Sequence, residues 1–329
     1  MNIRIALLLD LLRMSLRAKY KLHKARAALG HIVCKCLMNT KIFQAQCKWP
    51  LHAVLLATTR CNKRCPDCFY THLVNKPGAK TELSLETVKK AMATELFKSV
   101  CRVALVGGEP LLNAELLPII RHLKSQGVLA TLTTNGLLLD SKQLHAFREA
   151  GLDWLNISIY DDNRAKILAA FAAARDGAFT VNRMALVFHS NNISEYRQAY
   201  AFAVQANTPN LIFNHLYTES DPRSDNERDA FANEFDRLCA EIEQDGKMRL
   251  YAHPPYRSTM KGVPRCGQAL GLISLAPDET LGPCCHLPPG EAFGTLAKPE
   301  AVLQFKRAVF GKTCPTLCQG CYFLHSSVY

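Results

Sequence analysis

The sequence lacks, near its start, an apolar run long enough to cross a membrane: residues 5–9 form a short one, and Asp10 interrupts it. It also lacks the clean apolar region and small-residue cleavage site of a secretory signal, so nothing there points to an oxidising compartment. Acidic residues are nearly missing from residues 1–50, where ten Lys and Arg stand against Asp10 alone, so nine of the chain's net twelve positive charges fall there. That basic segment has little aromatic interleaving and no recognition module comes after it, which argues against nucleic acid as a partner. Its apolar residues Ile5, Leu8, Leu9, Leu12, Leu16, Tyr20 and Leu22 fall near helical spacing, with Gly30 as a stop. Residues 1–30 therefore read as a basic amphipathic helix that either packs across one end of the fold or lies on an anionic membrane surface. The expected location is cytoplasmic, with peripheral membrane contact as the variant that this helix allows.

Cysteine is what the sequence has in excess. Fourteen occur, clustered at 34, 36 and 47, at 61, 65 and 68, at 266, 284 and 285, and at 314, 318 and 321, with Cys101 and Cys239 isolated. Clustering without an export signal favours metal or redox chemistry over a disulfide framework. Cys34, Cys36 and Cys47 show no ligand spacing and read as buried thiols. Cys61, Cys65 and Cys68 share one eight-residue stretch just after the apolar run 54–57, so they sit where a buried strand empties into a loop. A structural zinc site wants four tetrahedral ligands, and the nearest pair that could complete one is Cys318 and Cys321 at the far end of the chain. Adjacent loop cysteines rarely meet disulfide geometry. Three corners of an iron–sulfur cube, with the fourth iron left to something other than protein, fit this spacing best.

From residue 54 strand-like and helix-like segments alternate. Strands are expected at 54–57, 102–106, 128–132, 154–159, 180–188 and 211–216, with helices at 83–98, 111–126, 141–150, 164–175 and 193–205. Strict alternation argues for an α/β fold with a parallel sheet and helices outside it. Residues 225–244 read as a further amphipathic helix bridging to the C-terminal part of the chain, and beyond residue 250 periodicity fades while Pro, Gly and Cys rise. Four regions result: a basic helical segment at 1–50, a barrel-like domain at 51–220, a bridging helix at 221–250 and a cysteine-rich tail at 251–329.

At the end of the second strand stands Gly107-Gly108-Glu109-Pro110, where two glycines would let a ligand approach the backbone and a carboxylate could accept hydrogen bonds from an ammonium group. With the Cys-x3-Cys-x2-Cys loop about forty residues before it, the chain resembles the radical S-adenosylmethionine (SAM) superfamily. The resemblance implies a partial (β/α)6 TIM-like barrel. It implies a 4Fe-4S cluster on Cys61, Cys65 and Cys68 whose open iron is chelated by SAM, and a methionine amino group held by Gly107 to Pro110. Thr134, Asn135 and Ser158 fall where that superfamily places ribose and carboxylate contacts, and both Arg164 and Arg183 are candidates for the SAM carboxylate. One departure is visible: the residue before the third cysteine is commonly aromatic, but is Asp67 here, with Phe69 and Tyr70 directly after.

The tail resembles SPASM and twitch domains: residues 273–278 running on to Gly282-Pro283-Cys284-Cys285 resemble their hairpin, and Phe293-Gly294-Thr295-Leu296 and Cys318-Gln319-Gly320-Cys321 continue the likeness. This implies one auxiliary 4Fe-4S cluster on Cys266, Cys284, Cys318 and Cys321, with Cys285 and Cys314 spare as alternative ligands, inert thiols or hydrogen-atom donors to a substrate radical. His286 reads as a packing or surface residue. The implied activity is reductive cleavage of SAM to a 5'-deoxyadenosyl radical that abstracts hydrogen from substrate, fed by a small electron donor such as flavodoxin or ferredoxin. Among relatives of this kind, post-translational modification of a peptide by crosslink, thioether formation or epimerisation is the commonest theme. Oxidation, epimerisation or decarboxylation of a sugar-like or lipid-linked small molecule is the alternative. A non-catalytic iron–sulfur or zinc scaffold is the reading from another class, though it would have no use for a methionine clamp.

Overall fold

The computed structural model describes residues 50–68, 70, 71, 73–75, 81–216, 223–253, 255, 271–284, 287 and 289–309. The basic segment, and Cys266, Cys285, His286, Cys314, Cys318 and Cys321, lie outside the described residues. Nine described strands form one sheet: β1 (His52–Thr58), β2 (Arg102–Gly107), β3 (Leu129–Thr134), β4 (Trp154–Ser158), β5 (Met184–Ser190), β6 (Asn210–His215), β7 (Arg249–Ala252), β8 (Leu272–Leu275) and β9 (Leu281–Gly282). Their order is β7-β6-β5-β4-β3-β2-β1-β8-β9, parallel throughout except for the β8–β9 pair. This is an open, partial TIM-like barrel, and the six expected strands stand in it in sequence order.

Between them run α1 (Leu85–Ala93), α2 (Leu116–Ser125), α3 (Ser141–Ala150), α4 (Arg164–Arg175), α5 (Ile193–Gln205) and α6 (Asp225–Asp245), with α7 (Glu300–Val309) beyond the hairpin. Local chemistry sets their ends. Ser84 Oγ accepts from Thr87 N and Asp140 Oδ1 from Gln143 N, each closing a first turn. Ser224 and Glu227 form a capping box that starts α6. The helix expected at 111–126 is split by Asn113. Its buried side chain donates to Ala57 O (2.6 Å) and Leu83 O (2.9 Å) and accepts from Glu115 N (2.7 Å), leaving a short 3-10 turn at Pro110–Leu112 ahead of α2. A polar side chain that satisfies strand carbonyls is of more use there than another helical turn.

Strand pleating gives the sheet two faces. Ala53, Leu55, Val103, Leu105, Ala130, Leu132, Leu155, Ile157, Leu186, Leu211 and Phe213 point outward into the core beneath the helices. The inner face is apolar only near β1 and β2, where Val54, Leu56 and Leu272 meet Ala104, Val106, Tyr70 and Leu73. Across β3–β7 it mixes polar residues such as Thr131, Asn156, His189 and Asn214 with Ala185, Val187 and Ile212.

The three strands beyond the six of the expected barrel lie at the two ends of the sheet order. β7 comes after α6, whose Phe235 packs on Tyr196 of α5 (ring centroids 5.0 Å) and on Phe213 (6.2 Å), so α6 covers the sheet like the other helices. β8, the first half of the expected hairpin, pairs in parallel with β1 through His52↔Leu272 to Leu55↔Leu275 and extends the barrel sheet itself. Among the described residues no helix is long and apolar enough to cross a membrane.

Candidate active site

A parallel sheet puts the ends of all its strands on one rim, and the loops after β1 to β4 meet there. The cysteine loop is fixed at its root by backbone. Gly108 N donates to Thr58 O (2.8 Å) and Glu109 N to Arg60 O (2.8 Å). A Cβ on Gly107 would lie 2.4 Å from Thr58 O, and one on Gly108 2.0 Å from Arg60 O. Gly107 also has φ +123°, which L side chains rarely adopt. The two glycines thus allow a close approach of protein to protein, strand end against loop root.

Side chains staple the rest of the loop. Asn75, at φ +58°, accepts from Cys61 N (2.9 Å) and donates to Cys61 O (3.2 Å). Asn135 Nδ2 donates to Asn62 Oδ1 (2.8 Å), and Lys63 Nζ reaches Asp162 Oδ2 (2.5 Å) while lying 4.5 Å from the Tyr160 ring centroid. Arg60 pairs with Glu82 (2.5 Å) and donates to Leu112 O (2.8 Å).

Glu109 is fully buried and its carboxylate is engaged by protein donors. Thr134 Oγ1 (2.7 Å) and Leu111 N (3.1 Å) donate to Oε1, and Asn135 N (2.7 Å) to Oε2. Burial pushes its carboxyl above the usual range, and these donors only partly offset that. Its side chain therefore organises the rim by tying the turn after β2 to the turn after β3. Gly136 completes the second turn at φ +74°, with its N–H on Thr134 Oγ1 (3.0 Å).

Two residues that carry no sequence signal complete the site. Asn163, with no exposure, donates to Asn135 O (2.6 Å) and Ser158 O (2.7 Å) and accepts from Tyr160 N (3.0 Å), locking the β3 and β4 ends together. The Tyr160 hydroxyl is in hydrogen-bonding reach of Cys65 and Ser158, and burial, then Cys65, holds its phenol well above the ordinary value. An Asn three residues after an aromatic at a strand end carries no motif, so only the fold reveals it. Asn163→Ala leaves two carbonyls and an N–H unpaired, and a loss of about 2 kcal/mol is expected. Thermal unfolding should register this as a drop of several degrees.

Cys61, Cys65, Cys68, Gly107 to Pro110, Thr134, Asn135 and Ser158 are thus gathered on one rim. Arg164 also lies beyond β4 on this rim, at the start of α4, but its guanidinium pairs with Asp161 (3.0 Å) and covers the Phe202 ring (5.1 Å) on α5. Arg183 directly precedes Met184, the first residue of β5, and is exposed at the opposite rim. Of the two arginine candidates the structure removes Arg183, because a residue before a parallel strand cannot reach the loops after its neighbours. Asp67 is exposed, and Tyr70 packs into the apolar inner cluster; Phe69 lies outside the described residues.

The thiol chemistry suits a cluster. Cys61, Cys65 and Cys68 are free and half-buried. Burial first, then the nearby charges of Glu109, Cys65 and Cys68, raises the Cys61 thiol, whereas the Lys63 N–H (3.4 Å from Sγ) favours its thiolate. Three neighbouring thiolates in one half-buried loop repel one another, and iron would relieve that. Among the described residues no three His, Cys, Asp or Glu side chains converge on a single-ion site. A cube has no such need, since each thiolate meets a different iron.

Comparison with known proteins agrees with this geometry. Residues 55–203 match the family model described as the radical SAM superfamily. A probable GTP 3',8-cyclase of Sulfurisphaera tokodaii is 28% identical over 163 residues, 46% of this chain and 52% of that protein. A PqqA peptide cyclase of Rhodopseudomonas palustris is 33% identical over 109 residues, 33% of this chain and 28% of that protein. The matches thus span about half or less of these curated relatives. Streptococcus suis SuiB, in a crystal structure with precursor peptide SuiA, shares the fold at TM-score 0.59 and 12% identity, over 92% of this chain and 75% of that one.

Proposed function

Residues 55–203 are a radical SAM domain, and from that premise we propose that this chain cleaves SAM reductively and uses the resulting radical to modify a peptide. The observation that carries the proposal is the rim itself, where the Cys61–Cys68 loop is bonded to both the Gly107–Pro110 turn and the Thr134–Gly136 turn. In this reading Cys61, Cys65 and Cys68 hold the cube, and the backbone of Gly107 to Pro110 faces the methionine end of SAM. Asn135, Ser158 and Thr134 line the nucleoside side, and Arg164 is the remaining candidate for the carboxylate. When bound, the reduced cluster and SAM supply a 5'-deoxyadenosyl radical, with the electron coming from a small donor such as flavodoxin or ferredoxin.

The chain's own residues do the positioning. Glu109 and Asn163 fix the turns after β2, β3 and β4 relative to the cysteine loop, and Lys63 with Asp162 holds the loop against β4. Tyr70 and Leu73 fill the inner face behind the loop with apolar surface, which keeps water from that side of the cluster.

A second cluster in the tail, on Cys266, Cys284, Cys318 and Cys321, belongs to the same proposal. Support comes from Cys284, which ends the β8–β9 hairpin and whose Sγ accepts from Leu287 N (3.2 Å), a bond that favours the thiolate. For the substrate, support comes from the relative named as a peptide cyclase and from the fold shared with SuiB. The relatives named GTP 3',8-cyclase favour a nucleotide as the competing substrate. Anaerobic reconstitution with iron counting and a 5'-deoxyadenosine assay tests the cofactor reading. Zinc in place of iron, or no SAM cleavage, would overturn it.

A further inference from the structure

The geometry points to the inner face of β5–β7 as the wall that recognises the substrate, through His189, Asn214 and His253, with an uncharged, amide-bearing peptide segment as its ligand. This rests on the peptide-modifying reading proposed for the rim.

Parallel pairing puts these three residues in one row. His189 is the register partner of Asn214. His253 comes directly after Ala252, the partner of Phe213, and its N–H donates to Phe213 O (3.0 Å), so it stands beside Asn214. Phe188, Phe213 and Ala252 alternate with them and point into the outer core, which turns the row inward. All three lie at the C-terminal ends of their strands, on the rim that carries the cysteine loop, with His189 on the strand next to the one that Tyr160 follows. His189 keeps exposed surface on the inner face, while desolvation by the surrounding protein is the main cause of its lowered pKa.

The chemistry of the row is neutral hydrogen bonding. Asn214 Nδ2 donates to His189 Nε2 (3.1 Å), which leaves the neutral imidazole its Nδ1–H as a donor. The Asn214 carboxamide still presents Oδ1 beside its second N–H, the complement of a peptide unit. Burial, then His253, pushes His189 down to about 4, and burial lowers His253 as well, so neither is a cation at neutral pH. On the inner face of β3–β7 the one charged side chain among the described residues is Arg249, at the opposite rim beside Asn210. Among the described residues a triphosphate would find no positive side chain beside the row itself.

Behind the row a buried clamp fixes all three strands. The Tyr196 hydroxyl lies against Ser190 O, Asn214 O (2.7 Å) and His215 Nδ1 (2.9 Å), and His215 Nε2 donates to His253 O (2.9 Å). Tyr196 is fully buried, with Phe213 at 4.7 Å and Phe235 at 5.0 Å between ring centroids. The single Tyr196 proton is shared among its three acceptors, and with the His215–His253 bond the cluster ties together the ends of the three strands that carry the row. That is how a scaffold holds recognition groups in place before a ligand arrives.

The test uses full-length protein reconstituted anaerobically with iron and sulfide and saturated with SAM. Wild type, Asn214→Leu and Tyr196→Phe each select from an mRNA-displayed library of short random peptides, and GTP binding is measured by equilibrium dialysis. Wild type should enrich defined peptide families about tenfold or more over Asn214→Leu, the loss of roughly one good hydrogen-bonded contact, and should retain no GTP. Tyr196→Phe should enrich the same families less strongly. Equal enrichment by wild type and Asn214→Leu, enrichment by neither, or GTP held by wild type and lost in Asn214→Leu would overturn the assignment. Melting curves and iron content report folding. Should Asn214→Leu fold poorly, His189→Leu on the exposed side chain replaces it with the same expectation. SAM cleavage by wild type separates the two ideas: no 5'-deoxyadenosine sinks the radical reading, whereas cleavage without selective enrichment sinks only the wall.

Discussion

Changing Cys61, Cys65 and Cys68 together to alanine is expected to lower iron from about eight to about four per chain and to abolish 5'-deoxyadenosine formation, since each cube holds four irons and the remaining cluster has no SAM site. The effect should be all-or-none. The thiols are the loop's soft ligands for iron; Asp67 offers only a hard oxygen in place of Cys68, and Asn62 and Lys63 are committed to Asn135 and Asp162. Structural damage should be slight. Gly108, Glu109, Asn75 and Asn135 bond the loop through its backbone and through Asn62, and all those contacts survive the triple change. A melting temperature near wild type with no SAM cleavage is therefore the expected pair of readings. Iron content unchanged by the triple substitution, or cleavage persisting, would remove the cofactor assignment.

Gly108→Ala should be almost as damaging while touching no ligand. Its Cβ would stand 2.0 Å from Arg60 O and 2.5 Å from Arg60 C, both backbone atoms, so no side chain can step aside. The β2 end and the loop root must separate, at a cost of two backbone hydrogen bonds, Gly108 to Thr58 and Glu109 to Arg60. Overpacking of this kind costs about 1–3 kcal/mol and each lost bond about 1 more. Expected are a clearly lower melting temperature, poorer iron loading and SAM cleavage reduced by more than about tenfold, since small displacements of a reacting centre are expensive. Gly290→Ala is the control, because a Cβ there meets nothing within 4 Å and the backbone is extended. If Gly108→Ala loads iron and cleaves SAM like the control, the close approach is not what holds the loop.

Much of the barrel was legible because its signals are local. Six apolar runs end in turn residues, and the helices between them carry their own caps, Ser84, Asp140 and Ser224 among them. The exceptions have physical reasons. Asn113 broke a helical run because it serves the carbonyls of Ala57 and Leu83, which are distant in sequence. The 3-10 turn at Val181–Arg183 delayed β5 to Met184 and put Arg183 on the opposite rim, a matter of which side of a strand a residue stands on. β8 reads as a hairpin strand from its sequence, and nothing in it announces a parallel partner more than two hundred residues earlier.

By itself, then, the sequence determined the alternating α/β architecture and the three-thiol loop, since periodicity and spacing are properties of neighbouring residues. The tertiary structure decided the roles. It showed that Gly107 and Gly108 form a seam between backbones and that Glu109 is the buried tie between two turns. It also brought forward Asn163, Tyr160 and the row of His189, Asn214 and His253. None of these has a motif, because each acts across strands whose adjacency comes from the parallel sheet and its shared rim.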